Sequence, residues 1–243
     1  MMKTLDQLEP RTPISTSGYV ITNSGSYYLT RNFGNPRITG GTMITIRADE
    51  VTLDLNGFIL DGRQTVLVGA GGDGIVVSGN HTNIYVFNGE FRNCSIGVAA
   101  NSALNSHFER LRFEHNTTGL ILGTNCVASA CLAEENGVGI QVGQACVLSG
   151  CSSSVNQKGI YVIGSQNRID SNMANNNAVS GIEVVANTYG NVVVRNQASG
   201  NNCSYSDFVI PAGNSYGHII VGGSGEITVG SGWENFSGYP CIF

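Results

Sequence analysis

One short phrase recurs six times along this chain and limits its fold more than any other feature. It is a glycine, an apolar residue, any residue, then a second apolar or small one. The copies are Gly74-Ile75-Val76-Val77, Gly97-Val98-Ala99-Ala100, Gly119-Leu120-Ile121-Leu122, Gly139-Ile140-Gln141-Val142, Gly159-Ile160-Tyr161-Val162 and Gly181-Ile182-Glu183-Val184. Successive glycines lie 23, 22, 20, 20 and 22 residues apart. A period of that size marks a solenoid, whose units bury their apolar faces only by stacking on one another.

Each unit reads as strand. Ile160 and Val162, or Ile182 and Val184, alternate with the period of two that sends side chains to opposite faces of a sheet. A second short strand follows about ten residues after each glycine, as at residues 83–86, 126–128, 146–148, 167–169 and 191–194. Asn, Gly and Ser fill the connections and favour tight turns. A leucine-rich repeat shares the period but needs a Leu-x-x-Leu-x-Leu signature, which is absent. The expected fold is therefore all-β: a single-stranded right-handed parallel β-helix with coils of 20 to 23 residues and capped ends. Asn116, Asn136 and Asn156 precede their glycines by three residues, and Asn93 and Asn177 precede theirs by four. Superposed at the strand spacing of about 4.8 Å, such residues form a side-chain amide ladder.

The 243 residues read as one domain, with residues 1–40 as an N-terminal cap, 41–204 as stacked coils and 205–243 as a final coil and cap. Caps are needed because an open solenoid exposes sheet edges. Tyr19, Tyr27, Tyr28 and Phe33 would cover one end, and the single tryptophan, Trp233, would plug the other. The segment 61–73 reads as an excursion over a groove. Only 12% of residues are charged and the net charge is −5 with no basic run, which excludes phosphate-backbone binding and so a nucleic-acid partner. No apolar run is long enough to span a membrane. Residues 1–10 lack the apolar core of a secretion signal, so the chain reads as cytoplasmic, or as secreted with its leader already removed. Among seven cysteines, Cys126 and Cys146 are 20 apart, as are Cys131 and Cys151, which reads as free thiols packed in apolar rungs.

Residues 24–30 (Ser-Gly-Ser-Tyr-Tyr-Leu-Thr), Ile44-Thr45-Ile46 with residues 51–57, and residues 213–217 with 233–236 carry a resemblance. The chain resembles bacterial right-handed parallel β-helix repeat proteins of the pectate lyase-like superfamily. That resemblance implies a carbohydrate-active protein that lyses, hydrolyses or epimerises a polysaccharide, often a uronic-acid polymer, along a groove beside the parallel sheets. It leaves open a non-catalytic glycan-binding or assembly module and a small-molecule isomerase or cyclase in the same groove. A homo-oligomer is a further expectation, because Val76, Ala99 and Ile121 would form an apolar outward stripe.

If the first and third residues after each glycine point inward, the second points out. That row reads Val76, Ala99, Ile121, Gln141, Tyr161, Glu183, and turns polar in the later coils. Lys158 should lie beside Tyr161, with Arg168, Asp170 and Arg195 on a neighbouring face. Proton abstraction next to a sugar carboxylate needs a base and a neutralising cation. Lys158, Tyr161, Glu183 and Arg168 are therefore candidate catalytic residues, and Gln141, Asp170 and Arg195 candidate substrate-binding residues. A second cluster sets Glu114 and His115 over Glu134 and Glu135 one coil later. Stacked carboxylates raise one pKa or recruit a cation. Glu134 and His115 are thus candidate acid/base residues, Glu135 a binding residue, and Glu114 with Glu134 a place for Ca²⁺, with no other cofactor expected. The bland alternative for both clusters is a solvated face of surface charges, with Arg112 compensating the glutamates. The aspartate constellation of Ca²⁺-dependent pectate lyases is absent, since Asp54, Asp73 and Asp170 are scattered. His81, His107 and His218 read as structural or exposed.

Overall fold

The computed structural model describes residues 11–34, 41–63, 71–201, 207–221 and 232–237. Among them every regular element is a strand, and the strands stack in parallel as a solenoid of about eight turns. Each coil has three faces. The first holds the glycine strands, from Tyr19–Ile21 through Ile44–Ile46, Ile75–Val77 and onward to Ser180–Val184 and Phe208–Val209. The second holds Val51–Asp54, Val127–Ser129, Val147–Ser149, Arg168–Asp170 and Val192–Val194. The third holds Ile59–Asp61, Leu132–Glu134, Ser152–Ser154, Met173–Asn175 and Gln197–Ser199. In two early coils, Tyr85–Arg92 and His107–Glu114 run unbroken from the second face into the third.

Single left-handed residues turn the corners. The corner between the first and second faces uses Asn83, Asn105, Asn125, Ala145 and Gln166, with φ between 49° and 63°. Between the second and third faces stand Asn88, Arg110, Ala130, Ser171 and Arg195. Between the third and first stand Asn93, His115, Glu135, Val155 and Asn176. Asparagine tolerates this region, but so do Arg, Glu and Val here, because the stacked coils on either side enforce the turn.

The repeat glycines have a different purpose, since none of the six has a positive φ. A Cβ at Gly97, Gly119 or Gly159 would lie 2.5–2.6 Å from the carbonyl oxygen of the equivalent glycine on the next coil. The motif marks close approach between coils rather than a turn.

The residue after each corner points into the core, and there the polar ladders run. Asn116, Asn136, Asn156, Asn177 and Asn201 form one continuous ladder, each amide oxygen accepting the backbone N–H of the preceding coil. Asn177 belongs despite its longer offset from Gly181. Asn93 does not: it is the corner residue, and Cys94 takes the inward place. Two further ladders, Asn167–Asn191–Asn214 and Asn172–Asn196–Asn235, occupy the other corners. Toward the N-terminus, thiols continue them, with Cys146 before Asn167 and Cys151 before Asn172. Cys94, Cys126, Cys131, Cys146 and Cys151 are buried free thiols, as the 20-residue spacings imply.

The N-terminal aromatics sit in the first coil: Tyr19 pairs with Ile44, Tyr27 with Leu53 and Phe33 with Leu60. Thr12–Ile14 adds a partial rung against Tyr27–Leu29. Trp233 is not a plug. It is 46% exposed and lies against the side of the last coils. Most of the expected excursion, residues 64–70, lies outside the described residues. No helix of the described chain is long and apolar enough to cross a membrane.

Candidate functional site

The ten residues singled out from the sequence fall into three groups in different places on the solenoid. On the first face, Lys158 pairs with Ser180, and Gln141, Tyr161 and Glu183 form consecutive rungs. Lys158 Nζ lies 2.9 Å from Glu183 Oε1 and 4.0 Å from the centre of the Tyr161 ring. Ser180 Oγ donates to the other oxygen of Glu183 at 2.7 Å. The expected neighbours do meet. They also satisfy one another, so the lysine charge is already balanced. On the same row Val76 and Ile121 are half-buried and Ala99 is buried.

Arg168, Asp170 and Arg195 gather on the second face. Asp170 is 5% exposed. Its Oδ1 accepts from Arg195 Nε at 2.7 Å and Ser171 Oγ at 2.9 Å. Its Oδ2 accepts from Arg168 Nε and Nη2 at 3.0 and 2.7 Å and from Arg195 Nη2. The Arg195 guanidinium above all, then Arg168 and Ser171, hold the Asp170 carboxyl down at about 2. Trp233 lies beside both guanidiniums, with ring-centre distances of 5.6 Å to Arg168 and 5.2 Å to Arg195.

The third group is at the corner between the third and first faces. Glu114 and Glu134 stack in register as expected. The converging atoms belong instead to Glu114, His115 and Glu135, all within 4.8 Å of one another. His115 Nε2 is 2.5 Å from Glu135, Nδ1 is 3.5 Å from Glu114, and Arg92 rather than Arg112 faces Glu114 at 3.7 Å. Ca²⁺ takes oxygen ligands, so of these three groups only the two carboxylates could serve it.

A fourth cluster escaped the sequence reading. Tyr85, Phe87, His107 and Glu109 project from the early coils of the second face, where Tyr85 pairs with His107 and Phe87 with Glu109. The Tyr85 ring stacks at 4.6 Å on Phe87 and 5.1 Å on His107. The Tyr85 hydroxyl donates to Glu109 Oε2. That bond keeps the proton on Tyr85, raising its pKa, and lowers that of Glu109. His107 Nε2 meets Ser129 Oγ at 3.1 Å, and Arg110 Nε lies 3.8 Å from Glu109. His107 thus shares an outward row with Tyr85 one coil before it. The signal was available: Tyr85 and His107, like Phe87 and Glu109, are 22 residues apart, one coil.

No family model and no curated protein matches the chain. Solved structures do. The A-module of the mannuronan C-5 epimerase AlgE4 of Azotobacter vinelandii superposes with a TM-score of 0.62 at 16% identity, over 90% of this chain and 59% of that one. The A-module of AlgE6 from the same organism gives 0.58 at 14%, over 94% and 76%. A periplasmic alginate epimerase, AlgG, gives 0.62 at 12%, over 86% and 56%. The fold is a right-handed parallel β-helix. This β-helix spans less than two thirds of the length of the AlgE4 module and of AlgG. At such identities the likeness concerns architecture, and the chemistry has to be argued from the side chains of this β-helix.

Proposed function

We propose that this protein is a carbohydrate-active β-helix that binds an acidic polysaccharide on its second face and transfers a proton at a sugar carbon next to the carboxylate. The observation that carries the reading is the juxtaposition of Tyr85, His107 and Glu109 on two adjacent coils. Paired groups with divergent proton affinities divide acid and base roles. Tyr85, held protonated by its bond to Glu109, is the acid. His107 is the base and takes the proton. Arg110, 59% exposed at the neighbouring corner, offsets the charge that builds on the sugar carboxylate. Return of a proton from solvent water to the opposite face of the carbon inverts it. If Tyr85 gives its proton to the glycosidic oxygen on the adjacent carbon, that C–O bond breaks instead and a C=C bond forms. The solved alginate epimerases that share the fold support the class of ligand.

The test is incorporation of solvent deuterium into polymannuronate, polygalacturonate and a neutral glucan, followed by NMR, with double-bond formation followed by ultraviolet absorbance. His107→Gln and Tyr85→Phe should each reduce turnover by roughly 10²-fold or more, the usual share of a general acid or base. Lys158→Ala should leave it within about twofold, because that cluster is internally neutralised. A reversed pattern would move the chemistry to the first face. No exchange with any of the polymers would leave the β-helix as a binding module.

A further inference from the structure

The second face carries a feature at its other end that proton transfer does not use. Asp170 fixes two guanidiniums but balances only one of them, so the cluster keeps a net positive charge. Among the described residues, neither Arg168 Nη1 nor Arg195 Nη1 has a protein partner. The two side chains are 40% and 45% exposed. Both are held by a buried carboxylate, so little side-chain freedom remains to be lost on binding. Trp233 supplies an exposed aromatic ring beside them. A cleft of about 370 Å³ is lined by Arg195 together with Ser152, Ser171, Met173, Gln197 and Phe236. Fixed unpaired N–H groups, an aromatic surface and a mixed polar and apolar cleft suit a sugar residue bearing an acid group.

What lies between the two ends matters as much. The outward rows of the second face run His107, Val127, Val147, Arg168 and Glu109, Ser129, Ser149, Asp170. Bulky side chains stand at both ends, and only Val and Ser lie between them. Three coil steps separate His107 from Arg168, roughly 14 Å at the spacing of parallel strands.

We infer that Arg168, Arg195 and Trp233 form an anchoring subsite for an acidic sugar, and that one glycan chain lies along the solenoid axis from this anchor, over Val147 and Val127, to His107. The path rests on the function proposed above; the anchor stands on its own geometry. These are positioning residues, acting on how long substrates are held rather than on the proton transfer.

Trp233 is the only tryptophan, so its fluorescence reports on this place alone. The full chain is titrated with acidic oligosaccharides of increasing length, with their carboxyl-reduced counterparts and with sodium sulfate. Expected are a saturable change with the acidic oligomers only, an affinity that rises with length until the oligomer spans the track, and a loss of about tenfold or more in Arg195→Ala. Arg168→Ala and Arg195→Lys, which keeps charge but loses the fork, provide independent variants should Arg195→Ala fold poorly. His107→Gln should keep the affinity for short acidic oligomers, which occupy the anchor without reaching position 107, while losing turnover, and this separates failure of the anchor from failure of the catalytic reading. Absence of an acid-specific change, unchanged binding in the arginine variants, or equal affinity for sulfate would overturn the anchor. Affinity independent of length would overturn the axial path.

Discussion

Asn136 Nδ2 donates to Asn156 Oδ1 at 3.0 Å, and the same oxygen accepts the Asn136 backbone N–H at 2.8 Å. One side chain thus serves the main chain of the coil before it, and each ladder member repeats the arrangement. Buried peptide groups at a corner have no sheet partner, and without the amide they would be stranded.

Replacing Asn136 by Ala should therefore cost far more than a lost surface contact. It orphans the Asn116 N–H and removes the donor to the Phe113 carbonyl. At about 1–3 kcal/mol for each unsatisfied buried group, we expect a loss of about 3 kcal/mol in urea unfolding. Asn125→Ala is the control. Asn125 is exposed at an outer corner, and Ala145 already holds the same left-handed corner one coil later. Its cost should stay near about 1 kcal/mol.

The two kinds of glycine separate in the same way. A Cβ at Gly139 would lie 2.0 Å from Ser153 Oγ and 2.8 Å from the Gly159 carbonyl. Gly139→Ala should cost about 3 kcal/mol, the upper range for overpacking. Gly150 has φ +62° but nothing within 4 Å, and Ala130 and Ser171 hold the equivalent corner of the adjacent coils. Gly150→Ala should cost about 1 kcal/mol, measured by the same unfolding curves.

These contrasts show what could be read from the residues. The glycine spacing conveyed the coil length, the inward and outward alternation and the register, because a solenoid repeats its neighbours' geometry. The same arithmetic placed Lys158 beside Tyr161 and Glu183. It misplaced Asn93, because corner and inward positions are adjacent in sequence and both accept asparagine. It does not join Tyr85 to His107, because these stand on long strands that cross a corner, away from the glycine row. Trp233 was unreadable: where a late segment folds back against earlier coils depends on contacts that leave no period.

Acid should expose the Asp170 cluster. Its carboxyl sits at about 2, below the ordinary 3.8, because Arg195 and then Arg168 and Ser171 bind the charged form. A depressed acid contributes stability that is fully present above its unfolded value and fades as pH falls through the folded one. The stability difference between the native chain and Asp170→Asn should therefore be constant from neutrality to about pH 4 and shrink between about pH 4 and pH 2. Thermal unfolding across that range checks it. A difference that grows on acidification would contradict the pairing.

The thiol rungs predict chemical silence. Cys94, Cys126, Cys131, Cys146 and Cys151 are each at most 3% exposed. Burial pushes the Cys94 thiol up to about 12, and a shared hydrogen bond with Cys126 together with burial pushes Cys146 up as well. Alkylation needs a thiolate that solvent can reach, and burial denies the reagent access at all five, including Cys126, whose thiol a hydrogen bond from Cys146 brings down to about 7. Iodoacetamide at mildly alkaline pH should label none of the five in the folded chain and all five in urea, as read by peptide mass spectrometry. Because the same side chains occupy the ladder places that asparagine fills in later coils, labelling at Cys126 or Cys131 without denaturant would mean that the middle coils open independently of the rest. The continuous ladder bonding argues against such opening.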